Sequence, residues 1–273
     1  MGRLSKEVLG LIRGKVGNVI FRVRHNTTYA YKIPEKVNIS QSPEAKTARG
    51  KFTPLSRFQS FINSIPELKY FWKRANIKGI SAFHKIGKYN YQFLLNNRPG
   101  IKNEITPMFA DSMGSSPVRM AYLDKSGIRM EAKYEKGWYV QLKKETFIYA
   151  LVVICFYNPA NRKKEFFTLD KLEEDNFEVI IEKEFEIKVP FTESALNNYY
   201  IYRNSIIYVT FITRDAEGNP VRYNTNYKQE FTHEYTEEEK IYIGKLQEVK
   251  LNERIQESYK GYLKKIFTGR RKE

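Results

Sequence analysis

Between residues 18 and 33 the chain reads NVIFRVRHNTTYAYKI, with apolar and polar side chains alternating on either side of His25-Asn26. A period of two belongs to a β-strand, and two such runs around a short break predict a β-hairpin. On the first run Val19, Phe21 and Val23 alternate with Ile20, Arg22 and Arg24, so a core-facing Val19 set sends both arginines to the other side. After Pro34 a polar connector leads to Ser42, a suitable N-cap, and Pro43, a suitable first helical residue. From there Phe52, Leu55, Phe58, Ile62 and Ile65 recur at spacings of three and four, which predicts a helix running towards Asn63. Pro54 should kink or restart it. ELKYFWKRA after Pro66 and SAFHKIGKYNYQFLLNN from Ser81 read as two further helices, closed by Arg98-Pro99-Gly100.

From about residue 101 the pattern becomes that of strands. They are expected at 119–123, 127–134, 147–157, 177–189, 205–214 and 220–231, with turn signals such as Asp124-Lys125-Ser126-Gly127 and Glu217-Gly218-Asn219-Pro220 between them. The two most apolar, 147–157 and 205–214, should be central and buried on both faces. The acidic run Glu173-Glu174-Asp175 reads as an exposed loop. Thr236 followed by Glu239 is a capping box that should open a long amphipathic helix ending in the basic tail Gly269-Arg270-Arg271-Lys272. The expected fold class is therefore α+β: an N-terminal β-hairpin plus short helices over 1–100, an antiparallel immunoglobulin-like β-sandwich over 101–234, and a C-terminal helix over 235–273.

Charge changes this picture more than composition does. The net charge is +16, but it is unevenly placed. Residues 1–98 hold 19 Lys and Arg against 4 Asp and Glu, a net +15; residues 99–239 hold 18 against 23, a net −5; residues 240–273 hold 10 against 4, a net +6. Concentrated charge of one sign attracts phosphates, acidic protein surfaces or anionic headgroups. No apolar run is long enough to span a bilayer, and MGRLSKEVLGLIRGKVGN lacks the apolar core and cleavage site of a secretory signal. A cytoplasmic protein, or one in a particle assembled there, is expected.

Little of the sequence suggests catalysis. The single Cys155 lies in the apolar run LVVICFY and reads as a core residue, and His25, His84 and His233 show no metal-ligand spacing. GLIRGKVGN does not have the spacing of GxxxxGKS/T and carries no hydroxyl after its lysine, so no nucleotide-binding loop is expected. There is no nucleophile elbow and no carboxylate pair with a local rationale. A non-enzymatic protein without cofactor or metal is the expectation.

The stretch GKVGNVIFRVRHNTTYAYKIP followed by NISQSPEAKTARGKF resembles a module of a Bacteroidota family of unestablished function, patterned as GKVGNV, a basic hairpin, a proline and a helix start rich in R and K. In that family a few helices and an immunoglobulin-like sandwich follow, and VVICFYNPANRKKEF and YVTFITRDAEGNPVRYNTNY stand in the matching places, so the resemblance covers roughly residues 8–230. It implies the fold but no activity, and related modules look like products of phage-like gene sets.

The candidate site is the basic hairpin and the helix after it. Arg13, Lys15, Arg22, Arg24 and Lys32, with Lys46, Arg49, Lys51 and Arg57, can contact a polyanion, most naturally the phosphates of nucleic acid. Phe21, Tyr29 and Tyr31 read first as hydrophobic core; the alternative is that Tyr29 and Tyr31 stack on exposed bases. A second reading of the same residues is an extended basic arm that contacts neighbouring subunits of an assembly, other proteins or copies of this chain.

Overall fold

The computed structural model describes residues 2–3, 13–24, 27–33, 39–108, 113–133, 147–160, 165–175, 184–237, 239–241 and 243–245. The chain divides into two compact units, Met1–Lys46 and Thr47–Glu273.

The first unit holds a four-stranded antiparallel sheet of β1 (Gly2–Arg3), β2 (Gly14–Val16), β3 (Val19–Arg24) and β4 (Thr27–Lys32), in the order β1-β4-β3-β2. The expected hairpin is its central pair. The strand β2 joins β3 through a two-residue turn at Gly17-Asn18, with Val16 opposite Val19 and Gly17 at φ +55°, a conformation that suits glycine in a tight hairpin turn. Helix α1 (Pro43–Ser64) starts in this unit and continues into the next. The Ser42 hydroxyl accepts a hydrogen bond from the Ala45 N–H at 3.2 Å, as an N-cap does. The helix runs unbroken through Pro54, whose ring is buried; the carbonyl deprived of its partner belongs to Gly50, at an exposed position where water can serve it.

The second unit is built around β7 (Phe147–Pro159) and β10 (Tyr202–Arg214), antiparallel from Tyr202 opposite Pro159 to Arg214 opposite Phe147. They are central and buried on both faces. Beside them lie β8 (Phe167–Glu174) on β7, and β11 (Pro220–Tyr223) and β12 (Tyr227–Thr232) on β10. One face, with Leu151, Val153, Cys155, Ile206 and Tyr208, shares a core with Phe58 and Ile62 of α1, Leu68, Phe71 and Trp72 of α2 (Pro66–Arg74) and Ile86 of α3 (Ala82–Asn90). The other face, with Val152, Ile154, Phe156, Val209 and Phe211, shares a core with a three-stranded antiparallel sheet of β5 (Val118–Asp124), β6 (Gly127–Lys133) and β9 (Glu184–Pro190), and with α4 (Glu193–Ile201). The unit is thus mixed, with antiparallel sheets and a layer of helices over the five-stranded one.

Residue 100 falls inside this unit, and the segment around it is a buried seam. Tyr208 donates to the Gly100 carbonyl at 2.8 Å, Trp72 to that of Ile105 at 2.7 Å, and the Ile105 N–H to Asn226 Oδ1 at 2.8 Å. Fully buried Asn90 and Asn103 bond to each other at 2.9 Å and to the surrounding backbone. Such a fully satisfied polar knot holds a loop in one conformation.

Some of the expected elements are corrected in detail. Glu173 and Glu174 are not in a loop: they pair with Leu151 and Ala150 at the end of β8, whose charged sequence is compatible with an edge strand. The expected strand 220–231 is broken at 224–226, where Asn224 Oδ1 replaces a ladder acceptor and takes the Phe211 N–H at 2.6 Å. The strand expected over 177–189 is seen from Glu184 onwards; 176–183 lie outside the described residues. At Thr236 the capping box forms, with Thr236 N–H to Glu239 Oε2 at 2.9 Å and Glu239 N–H to Thr236 Oγ1 at 3.3 Å. Residues 246–273, and with them most of the expected C-terminal helix, lie outside the described residues.

Candidate nucleic-acid interface

Directly opposed residues of antiparallel strands project from the same face. In the first unit Lys15 stands opposite Ile20 and Ile20 opposite Tyr31, while Arg22 stands opposite Tyr29. Lys15, Arg22, Tyr29 and Tyr31 therefore share one face. The other face carries Gly14, Phe21 and Ala30 in one row and Val16, Val19 and Lys32 in the next, so Lys32 lies across the sheet from Arg22. Arg22 and Lys15 are exposed, and Tyr29 and Tyr31 are half-buried. The Arg22 guanidinium lies 5.5 Å from the Tyr31 ring centroid, within the range of a cation–π contact. Arg24 is opposite Thr27, and Arg13, just before β2, lines an open depression with Phe21, Arg22 and Val23. Among the described residues of this unit Thr28 is the buried one. Nine Lys and Arg against three acids over residues 1–46 leave the unit at +6.

The helix bases divide differently. Lys46 and Arg49 are exposed. Lys51 is half-buried, its ammonium 5.7 Å from the Tyr91 ring centroid. Arg57 is tied down in the second unit, paired with Glu165 and stacked 4.8 Å from the centroid of Phe167. It thereby makes a contact between α1 and the sheet edge. Charge pairs of the same kind join the helical layer to the sheet elsewhere. Arg98 meets Glu230 at 3.3 Å over the Tyr157 ring, and Arg214 meets Glu67 at 3.0 Å over the Tyr149 ring. Lys228 pairs with Glu104, whose pKa burial raises and Lys228 pulls back. Lys69, Lys73, Lys78 and Lys88, which the sequence reading did not single out, are exposed on the helical layer. Their spacing carries no motif; only the placement of α2 and α3 against the sheet shows which side they face.

Cys155 and the His233–Ser205 pair of the second unit are enclosed. Cys155 is fully buried and its thiol pKa is pushed up to about 12 by burial. His233 Nε2 lies 3.0 Å from Ser205 Oγ, a distance suited to a catalytic pair, but Ser205 is fully buried. The His233 Nδ1–H faces the Tyr199 and Tyr202 carbonyls at 3.1 and 2.8 Å, and Tyr235 donates to the same two oxygens. The arrangement fastens the end of α4 to the segment after β12. Among the described residues no three His, Cys, Asp or Glu side chains come together as a metal site, and no helix is long and apolar enough to cross a membrane. Comparison with protein-family models, curated proteins and solved structures finds no match to this chain.

Proposed function

We propose that this chain is a non-enzymatic binding protein whose basic N-terminal unit binds nucleic acid, held by a larger scaffold. The observation that carries the reading is the clustering of Lys15 and Arg22 with two tyrosines on one face of the first sheet, in a unit of net +6. Exposed Lys and Arg on a rigid strand can neutralise successive phosphates without first ordering a loop. For the scaffold, the strand orders β5-β6-β9 and β8-β7-β10-β12, with a shared core between them, support an immunoglobulin-like sandwich extended by a helical layer. The cytoplasm, or a particle assembled there, suits both parts.

The experiment is association of the full chain with nucleic acid before and after Arg22→Glu with Arg24→Glu. Purified protein should hold labelled oligonucleotide in a salt-dependent manner, and the double variant should lose it while near-ultraviolet circular dichroism of the sandwich aromatics stays unchanged. Undiminished binding by the folded variant would reject the sheet as the interface. One observation favours a second reading, a subunit contact in a particle: the first sheet leaves apolar residues such as Val16 at 68% exposure. Co-migration as a nuclease-resistant, salt-resistant protein assembly would favour that reading instead.

A further inference from the structure

The cationic face of the first unit is also its tyrosine face. The alternation of residues 18–33 left open whether the aromatics belong with the arginines or with the core, and the register divides them: Phe21 goes with Ala30 and Gly14, whereas Tyr29 goes with Arg22, and Tyr31 with Ile20 and Lys15. Neither tyrosine is buried, and Arg22 lies over the ring of Tyr31. Two residues apart on one strand, they are separated by roughly 7 Å. That is about twice the 3.4 Å rise per base of a stacked strand, so an extended strand can set one base on each ring. In a duplex the base faces are occupied by their neighbours; unpaired bases alone offer them to an aromatic side chain.

We infer that the ligand of this face is single-stranded nucleic acid, with phosphates on Lys15 and Arg22 and bases stacked on Tyr29 and Tyr31. This rests on the nucleic-acid reading above and specifies its substrate. Phosphate contacts supply the salt-dependent, sequence-independent part of affinity, and the rings supply a part that salt does not screen.

The test is fluorescence anisotropy of the full chain with labelled oligothymidylate, oligouridylate and a mixed-sequence duplex of equal length, over a series of salt concentrations. Single strands should bind more tightly than the duplex. Tyr29→Leu with Tyr31→Leu, which keeps apolar bulk on the sheet, should weaken single-strand binding by about 30-fold or more at unchanged salt slope. Tyr29→Phe with Tyr31→Phe should bind like the parent. Ultraviolet cross-linking of the unmutated chain to oligothymidylate, read by mass spectrometry, should label the peptide containing Thr27–Lys32, and this readout does not depend on how the variants fold. If single strand and duplex bind equally and the leucine variant loses nothing, the stacking inference is overturned while the nucleic-acid reading stands. If no oligonucleotide binds even at low salt, both fall.

Discussion

A charged or titratable side chain acts here according to what surrounds it, and two residues show the extremes. Arg22 is exposed beside half-buried rings, so its loss should change binding far more than stability. Arg22→Ala should flatten the plot of log affinity against log salt by about one unit, the contribution of one phosphate contact, with little change in the urea midpoint. His233 is the reverse case, buried with its proton on Nδ1 facing two carbonyl oxygens. Burial lowers its pKa to about 4, against an ordinary value near 6.5 in the unfolded chain. The stability gained by keeping it neutral is therefore complete above pH 6.5 and is lost as pH falls through 4, by up to about 3 kcal/mol. Urea denaturation at pH 7 and at pH 4.5 should show this loss. His233→Gln, weaker at pH 7, should show a smaller fall between the two.

Elements meet at contacts that tolerate little change. In α3, Gly87 packs where a Cβ would overlap the Gln59 side chain of α1, which donates to the Phe83 carbonyl at 2.9 Å. Gly87→Ala must displace that amide and should cost about 1–3 kcal/mol, measured as a shift in the urea midpoint. At the start of β6, Gly127 lies at φ +140° where an added Cβ would run into the Val189 carbonyl oxygen, so Gly127→Ala should destabilise by a similar amount through strain between β6 and β9. The ion pairs that bind helices to sheet should separate by burial. Arg57 and Glu165 are 37% and 67% exposed, whereas Arg214 and Glu67 are 25% and 15% exposed. Arg57→Met should therefore cost less than about 1 kcal/mol. Arg214→Met, which strands a largely buried Glu67 carboxylate, should cost about 3 kcal/mol or more.

For the whole molecule the first test is where it can be cut. Residues 47–273 retain both cores of the second unit, so this fragment should remain folded, with the cooperative unfolding of the full chain and without the binding assigned to Lys15 and Arg22. A fragment starting at residue 101 removes α1, α2 and α3 and uncovers Leu151, Val153, Ile206 and Tyr208. An exposed apolar face of that size should drive aggregation, visible in size-exclusion chromatography and dye binding. A monomeric, cooperatively folding 101–273 fragment would show that the helical layer is dispensable to the sheet.

Periodicity alone determined the central hairpin, the three N-terminal helices, the two buried strands β7 and β10 and the capping box at Thr236, because each is specified by neighbours a few residues apart. It also determined that Arg22 alternates with Phe21. It did not reveal β8, whose acidic sequence is compatible with an edge position, or α4, a nine-residue helix anchored by a Thr192 cap and His233. Tertiary structure decided the rest. The partners of Arg57 and Arg98 lie 108 and 132 residues away, and no local pattern encodes a contact across that distance. The same holds for the tyrosines of the candidate interface. Alternation leaves open which face Tyr29 and Tyr31 take, and the pairing register across the break at His25-Asn26 places them beside Arg22, since a slip of one residue would turn every side chain of β4 over.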